Sequence, residues 1–235
     1  MFFAVVVAAG QGRRMGFKKQ FMDLAGRPMW IRSTGAMFTG GVECTVVVTS
    51  KEDHGAFAAE LRSMEWASRC HLVVGGDTRH ESVVAGIRRI WDIVKDKRVD
   101  PNSVLVAVHD AARPFVASDD IRRAFARASE HGAAILGRFC RDTVKWVEQD
   151  MVEKTIPREK LFLAETPQVI RGDIVRRAYF DAKLDTTPTD DSALLEELGI
   201  PVTCVESTRY NGKVTTPADL DYANWLASKL WGNEI

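Results

Sequence analysis

The stretch VVVAAGQGRRMGFKKQF (residues 5–21) indicates the fold of this chain. Its apolar run of valines and alanines is typical of a strand buried on both faces, and the glycines that follow suit a turn into the next element. In parallel sheets, ligands bind at the carboxyl ends of the strands, and the loop after the first strand commonly takes phosphate. The stretch therefore predicts an α/β protein whose first loop faces a ligand site.

The composition of the 235-residue chain is that of an ordinary globular protein, with 46% hydrophobic and 27% charged residues. Lys+Arg and Asp+Glu both number 32, so no global field attracts nucleic acid or an anionic membrane. The four cysteines are scattered and lack metal-ligand spacing. No apolar run approaches about 20 residues, and the apolar start lacks a basic region. We expect a soluble, cytoplasmic protein without nucleic acid or membrane partners.

Short β-branched runs alternate with helix-periodic stretches along most of the chain, beginning with FFAVVVAA and continuing to AAILGR near residue 138. This alternation is typical of βαβ units, and the continuously apolar strands indicate burial on both faces. We predict a single Rossmann-like α/β domain over residues 1–235. Its largely parallel, twisted sheet should be flanked by helices.

The pattern changes between about residues 139 and 168, where FCRDTVKWVEQDMVEKTIPREKLFLAETPQ alternates and is interrupted by charges. Such alternation is typical of an exposed hairpin. Excursions of this kind usually cover a site or contact a partner. We therefore predict a projecting β-arm at about 139–168.

The loop after the first apolar run carries more positive charge than a turn requires. Its spacing, Gly10-x-Gly12-x-x-x-Gly16, is not G-x-G-x-x-G, and the GK[ST] ending of a P-loop is absent. A nucleoside triphosphate, with about four negative charges, requires cationic side chains and a divalent metal, whereas a pyrophosphate needs chiefly backbone amides. The loop fits a triphosphate because it adds four cations: Arg13, Arg14, Lys18 and Lys19. The alternative is a solvated basic turn.

Three further stretches carry candidate functional residues: VVGGDTRHESV (73–83), VAVHDAARPF (106–115) and NGKVTTPADL (211–220). The glycine pair and Ser82 could line a base pocket, and Asp110 is placed to hold a metal or a ribose. Lys213 lies in a turn before a helix that begins at a proline. Each has a structural alternative, namely a helix cap for Ser82 or Asp110 and a solvated side chain for Lys213.

Together these stretches resemble the 2-C-methyl-D-erythritol 4-phosphate cytidylyltransferases of the nucleotidyltransferase superfamily. The resemblance covers essentially the whole chain, through motifs in the order AAGQGRRMG…KKQF, GGDTRHESV, HDAARP, RDTVK, IPR, ETPQ, TDD and NGKVTTPADL. It implies transfer of CMP from CTP to the sugar-alcohol phosphate, with release of pyrophosphate, in non-mevalonate isoprenoid biosynthesis. It also implies Mg²⁺ or another divalent cation.

The resemblance assigns expected roles to individual residues. Catalytic contacts to the phosphates are expected from Arg14, Lys19 and Lys213, and a metal contact from Asp110. Nucleotide contacts are expected from Ala8, Ala9, Gly10, Gly12, Gly75, Asp77 and Ser82. Sugar-phosphate contacts are expected from Ala111, Arg113, Thr143, Arg158 and Thr166. In the family the arm builds a homodimer whose partner supplies Thr143 and Arg158, and Lys18 stands where a proline is common.

Three alternatives are open at this point. The family that uses ribitol 5-phosphate looks similar but tends to have AGG and HDSVRP where this chain has Ala8-Ala9-Gly10 and HDAARP. An NAD-dependent dehydrogenase needs an acidic residue after the second strand, where Glu52 and Asp53 follow CTVVVTS. A non-catalytic CTP-binding protein would bind the nucleotide without turnover.

Overall fold

The computed structural model describes residues 1–10, 18–182 and 188–232. The strands are β1 (Phe2–Val7), β2 (Cys44–Thr49), β3 (Cys70–Val74), β4 (Leu105–Asp110), β5 (Ala133–Phe139), β6 (Val144–Glu148), β7 (Met151–Ile156), β8 (Phe162–Arg171) and β9 (Thr203–Glu206). The helices are α1 (Met29–Thr39), α2 (His54–Leu61), α3 (Arg79–Asp96), α4 (Ser118–His131), α5 (Gly172–Arg176), α6 (Asp191–Glu197) and α7 (Pro217–Trp231). A π-helical turn, Arg177–Asp181, follows α5.

Seven strands form the central sheet, in the order β3-β2-β1-β4-β8-β5-β9. Strand β8 is antiparallel to both of its neighbours, and all the other adjacent pairs are parallel. The prediction of a largely parallel α/β sheet flanked by helices is confirmed. The parallel strands β1 to β4 bring their carboxyl ends to one edge of the sheet.

Both faces of the sheet are buried, as the continuously apolar strands predict. In β1, Ala4 and Val6 pack on one face with helices α1 and α4, and Phe3 and Val5 pack on the other face with α3. Helix α3 approaches β1 so closely that a Cβ on Gly86 would lie 2.5 Å from a Val5 methyl carbon. This contact fixes the position of α3 on the sheet, and its N-terminus at the sheet's carboxyl edge.

The predicted arm is a two-stranded hairpin of β6 and β7, outside the central sheet. Its turn residues Gln149 and Asp150 both have positive φ, 47° and 64°, as a two-residue type I′ turn requires. The predicted end at 168 is wrong, because Phe162 already pairs with β5 and residues 165–170 are buried. The exposed first residues of β8 continue the alternation of the hairpin, so the sequence pattern does not mark the boundary.

The helices were also compared with the length of a membrane span. Within residues 1–10, 18–182 and 188–232, no helix combines the length and the apolar character needed to cross a bilayer.

Candidate functional site

A cleft of about 860 Å³ opens at the carboxyl ends of β1 to β4. This edge is where parallel α/β sheets bind ligands, because the loops that leave the strands converge there. Many of the residues predicted to contact nucleotide, metal or substrate lie in its lining: Ala8, Ala9, Gly10, Lys19, Gly75, Asp77, Ser82, Asp110, Ala111 and Lys213. The structure thus brings together residues from four separate sequence motifs.

The other predicted residues lie elsewhere. Arg113 and Thr166 are behind Asp110, and Thr143 and Arg158 are at the base of the hairpin, exposed to solvent. Gly12 and Arg14 fall outside the described residues. Their predicted contacts stay predictions.

Backbone packing makes one wall of the cleft narrow. A Cβ on Gly75 would lie 2.4 Å from Ser82 Oγ and 2.9 Å from a Val48 methyl carbon, so a larger residue at this position would force β3 and α3 apart. Thr78 caps α3 in a capping box with Glu81. The glycine and the cap together hold the first turn of α3, including Ser82, against the cleft.

The carboxylate of Asp110 lies among three cationic side chains. Lys213 Nζ is 2.7 Å from Asp110 Oδ2, Arg79 Nε is 3.4 Å from Oδ1, and Arg113 Nε is 3.8 Å from Oδ2. Burial alone would raise the pKa of Asp110, but Lys213, Arg79 and Arg113 hold that pKa well below its usual value. Asp110 is therefore ionised at neutral pH, and its charge is balanced by its neighbours.

Arg79 is a residue of this site that the sequence reasoning missed. It is the first residue of α3 and lies between two carboxylates, with Nη2 2.8 Å from Asp191 Oδ2. Burial opposes its charge, yet Asp191 and Asp110 raise the pKa of Arg79 above its ordinary value. Its place in the GGDTRHESV motif was the only available signal, because nothing in the spacing connects residues 79, 110 and 191.

Lys213 reaches Asp110 because its segment docks along the loop after β4. The Val214 backbone N–H donates to the Ala112 carbonyl at 2.9 Å, and Arg113 Nη1 donates to the Asn211 carbonyl at 2.8 Å. The side chain of Asn211 in turn donates to the Thr166 carbonyl at 2.8 Å. These three bonds tie the NGK motif to β4 and β8.

A buried hydrogen-bond chain supports the backbone of Asp110 from behind. The Asp110 N–H donates to Thr166 Oγ1 at 3.1 Å, and Thr166 Oγ1 is 3.0 Å from His109 Nδ1. His109 Nε2 is 3.1 Å from the Arg113 carbonyl, which can only accept, so Nε2 carries the proton and Nδ1 accepts from Thr166. Burial lowers the pKa of His109 to about 4, so the imidazole is neutral at pH 7. This neutral ring is a structural group rather than a base.

The two adjacent lysines of the first loop have different partners. Lys19 Nζ donates to the Val214 carbonyl at 2.8 Å and lines the cleft. Lys18 forms an ion pair with Asp53, a buried carboxylate that also accepts from Ser50 Oγ at 2.9 Å. Asp53 therefore anchors the end of the first loop. It is not available as the acidic residue that binds ribose in a dehydrogenase.

The hairpin exposes an apolar surface. Trp146, Val147, Met151 and Val152 are each more than half exposed. At its base, Arg158 Nη1 donates to the Arg141 carbonyl at 2.6 Å. The hairpin thus presents apolar and cationic side chains away from the cleft of its own chain.

A largely parallel sheet with a glycine-lined, cation-bearing cleft at its carboxyl edge defines a nucleotide-binding α/β protein. Within that class, the chain is a nucleotidyltransferase. Residues 2–229 match the family described as IspD: 2-C-methyl-D-erythritol 4-phosphate cytidylyltransferase, and the chain belongs to this family. Membership excludes the dehydrogenase alternative.

Similar proteins cover nearly the whole chain. The 2-C-methyl-D-erythritol 4-phosphate cytidylyltransferase of Halalkalibacterium halodurans is 36% identical, over 96% of this chain and 96% of its own length. The crystal structure of 4-diphosphocytidyl-2C-methyl-D-erythritol synthase from Anaerococcus prevotii superposes with a TM-score of 0.79 at 26% identity, covering 96% of this chain and 95% of that one. The corresponding values for the Thermus thermophilus cytidylyltransferase are 0.71, 28%, 95% and 97%.

Proposed function

We propose that the cleft transfers CMP from CTP to 2-C-methyl-D-erythritol 4-phosphate, forming 4-diphosphocytidyl-2-C-methyl-D-erythritol and pyrophosphate. The observation that carries the proposal is the convergence of Lys19, Lys213 and Asp110 at one glycine-lined strand edge, in a chain of this family. A phosphate oxygen of the substrate forms the new bond to the α-phosphorus of CTP. The bond from that phosphorus to the pyrophosphate oxygen breaks.

This reaction requires no nucleophile from the protein, because a phosphate monoester is ionised at neutral pH. Catalysis then rests on alignment of two anions and on stabilisation of the charge that develops around the α-phosphorus. Lys19 and Lys213 supply positive charge from opposite sides of the chain's own fold, and we assign Arg14 to the same task. Gly10 and Gly12 can donate backbone amides to the phosphates because they carry no side chain.

The nucleoside would lie along the other wall of the cleft. Gly75, Asp77 and Ser82 line this wall, opposite Ala8 and Ala9 of the first strand's end. The close packing of Gly75 on Ser82 gives the wall a fixed shape, which suits recognition of one base through backbone groups. We assign these residues to CTP.

The residues of the site fit a divalent cation that arrives with the nucleotide. No group of three or more potential metal-ligating side chains occurs among the residues that the structure describes, and Asp110 is the carboxylate at the centre of the cleft. Mg²⁺ is commonly held by one or two carboxylates together with substrate phosphates. When bound, it would neutralise phosphate charge. Because Lys213 and Arg79 already contact Asp110, we expect weak metal binding without CTP.

The sugar phosphate would bind beside Ala111, with contacts from Arg113, Thr166 and, from a second subunit, Thr143 and Arg158. The exposed apolar surface of the hairpin supports a homodimer, because apolar patches of this kind are usually covered by a partner. Balanced overall charge supports a cytoplasmic enzyme with no nucleic acid or membrane partner.

Pyrophosphate release tests the proposed function. The protein is mixed with CTP and Mg²⁺, and with 2-C-methyl-D-erythritol 4-phosphate, ribitol 5-phosphate or no acceptor. We expect pyrophosphate only with the erythritol phosphate. Release with ribitol 5-phosphate alone would transfer the proposal to the sister activity, and CTP binding without any release would indicate a binding protein.

A further inference from the structure

Arg79 lies between two carboxylates that belong to different parts of the chain. Its Nε is 3.4 Å from Asp110 Oδ1, and its Nη2 is 2.8 Å from Asp191 Oδ2. The shorter and better hydrogen bond is therefore the one to Asp191, which lies outside the cleft lining. Arg79 itself lines the cleft.

Asp191 is held in place by its own surroundings. It is 3% exposed, and its second oxygen, Oδ1, accepts from the buried hydroxyl of Tyr179 at 2.6 Å. The start of α6 is fastened to β8, because Gln168 donates to Asp190 Oδ2 and accepts from the Ser192 N–H, both at 2.8 Å. Asp191 is thus a rigid anion that fixes the guanidinium of Arg79.

The position of this anion affects Asp110. A guanidinium can pair with both oxygens of a carboxylate at once, and such bidentate pairs are among the stronger polar interactions in proteins. Lys213 already occupies Asp110 Oδ2 at 2.7 Å. If Arg79 were released from Asp191, its nearest carboxylate would be Asp110, and both oxygens of that carboxylate would be engaged by cations.

We propose that Asp191 is a positioning residue for the metal–nucleotide complex. By holding the terminal nitrogen of Arg79, it keeps Arg79 from closing over Asp110, and so leaves that carboxylate able to bind the divalent cation that enters with CTP. Tyr179 contributes by fixing Asp191. This inference rests on the proposed function, and it adds a role for residues that do not touch the substrate.

The proposal predicts a sign that a merely structural ion pair does not. In Asp191→Asn, Arg79 remains but loses its anion, so metal binding should weaken. In the double variant Asp191→Asn/Arg79→Gln, the competing cation is also gone, so metal binding should recover. A structural role alone predicts that the second substitution causes further loss.

The test measures Mn²⁺ binding in the presence of CTP, without sugar phosphate, from the amplitude of the free Mn²⁺ electron paramagnetic resonance signal. Mn²⁺ takes the same oxygen ligands as Mg²⁺. We expect Asp191→Asn to raise the dissociation constant about tenfold, and the double variant to return to within about threefold of wild type. The matched control is Asp173→Asn, which removes an exposed ion-paired aspartate from the first turn of α5 and should leave binding unchanged.

Unchanged binding in Asp191→Asn, or a further loss in the double variant, would overturn the inference while wild-type binding still supports the CTP site. Absence of Mn²⁺–CTP binding to the wild-type protein would overturn the proposed function as well. If Asp191→Asn does not fold, as judged by thermal denaturation, Tyr179→Phe takes its place, because it removes the anchoring hydrogen bond and keeps the charge. We expect it to raise the dissociation constant about threefold, and no change would also count against the inference.

Discussion

The buried imidazole of His109 should make the stability of this protein depend on pH in a specific window. Its side chain is fully buried and its pKa is lowered from 6.5 to about 4, chiefly by burial. Between these two values the unfolded chain binds a proton that the folded chain does not, so the free energy of unfolding falls as the pH decreases. A difference of about 2.5 pKa units corresponds to roughly 3 kcal/mol for a group with no solvent exposure.

The assay is urea denaturation of the ligand-free protein at pH 7 and pH 4.5, with wild type compared with His109→Gln. The glutamine cannot titrate but can still donate to the Arg113 carbonyl, so the variant removes the proton equilibrium selectively. We expect wild type to lose roughly 2 to 3 kcal/mol more than the variant between the two pH values. Asp110 has a lowered pKa, so its stabilisation is lost only below this window, and it is common to both proteins. Equal losses in the two proteins would refute the account of a neutral buried His109.

Three further predictions concern single positions. Lys19→Ala should lower kcat by about two to three orders of magnitude, whereas Lys18→Ala should change it much less because Lys18 pairs with Asp53; steady-state kinetics decides this, and the reverse order would contradict the assignment. Gly86→Ala should destabilise the fold by about 1–3 kcal/mol in urea denaturation, because its Cβ would overlap Val5 although alanine favours helices. Mixing Lys19→Ala and Arg158→Ala subunits should restore about a quarter of wild-type activity if Arg158 acts in the partner's site, since half the dimers would contain one intact composite site; verified subunit exchange without recovery argues against that site.

The sequence was most informative where one physical rule determines the outcome. Apolar runs followed by glycines predicted parallel strands, and the rule that their carboxyl ends converge predicted that Gly10, Gly75 and Asp110 would meet. The separation of these residues along the chain did not matter, because the sheet brings the strand ends together. Lys213 could be placed only through the family resemblance, because its position depends on the docking of a loop.

The sequence was least informative for contacts between charged side chains. The pairs Arg79–Asp191 and Lys18–Asp53 depend on how α3, α6 and the first loop sit on the sheet, and a charged residue in a sequence does not indicate its partner. The buried chain through His109 was also missed, because a histidine at a strand end has no pattern that distinguishes a structural ring from a base. The end of the hairpin was misplaced because β8 begins with exposed residues.

The central claim is that this cleft joins CMP to the phosphate of 2-C-methyl-D-erythritol 4-phosphate. The most direct measurement is phosphorus NMR of a reaction that contains CTP, Mg²⁺ and the erythritol phosphate. We expect two coupled diphosphate resonances of the cytidyl product together with pyrophosphate, and a strongly reduced rate of their appearance with Lys213→Ala. Consumption of CTP without a sugar-linked diphosphate, or product formation at the wild-type rate in Lys213→Ala, would contradict the account.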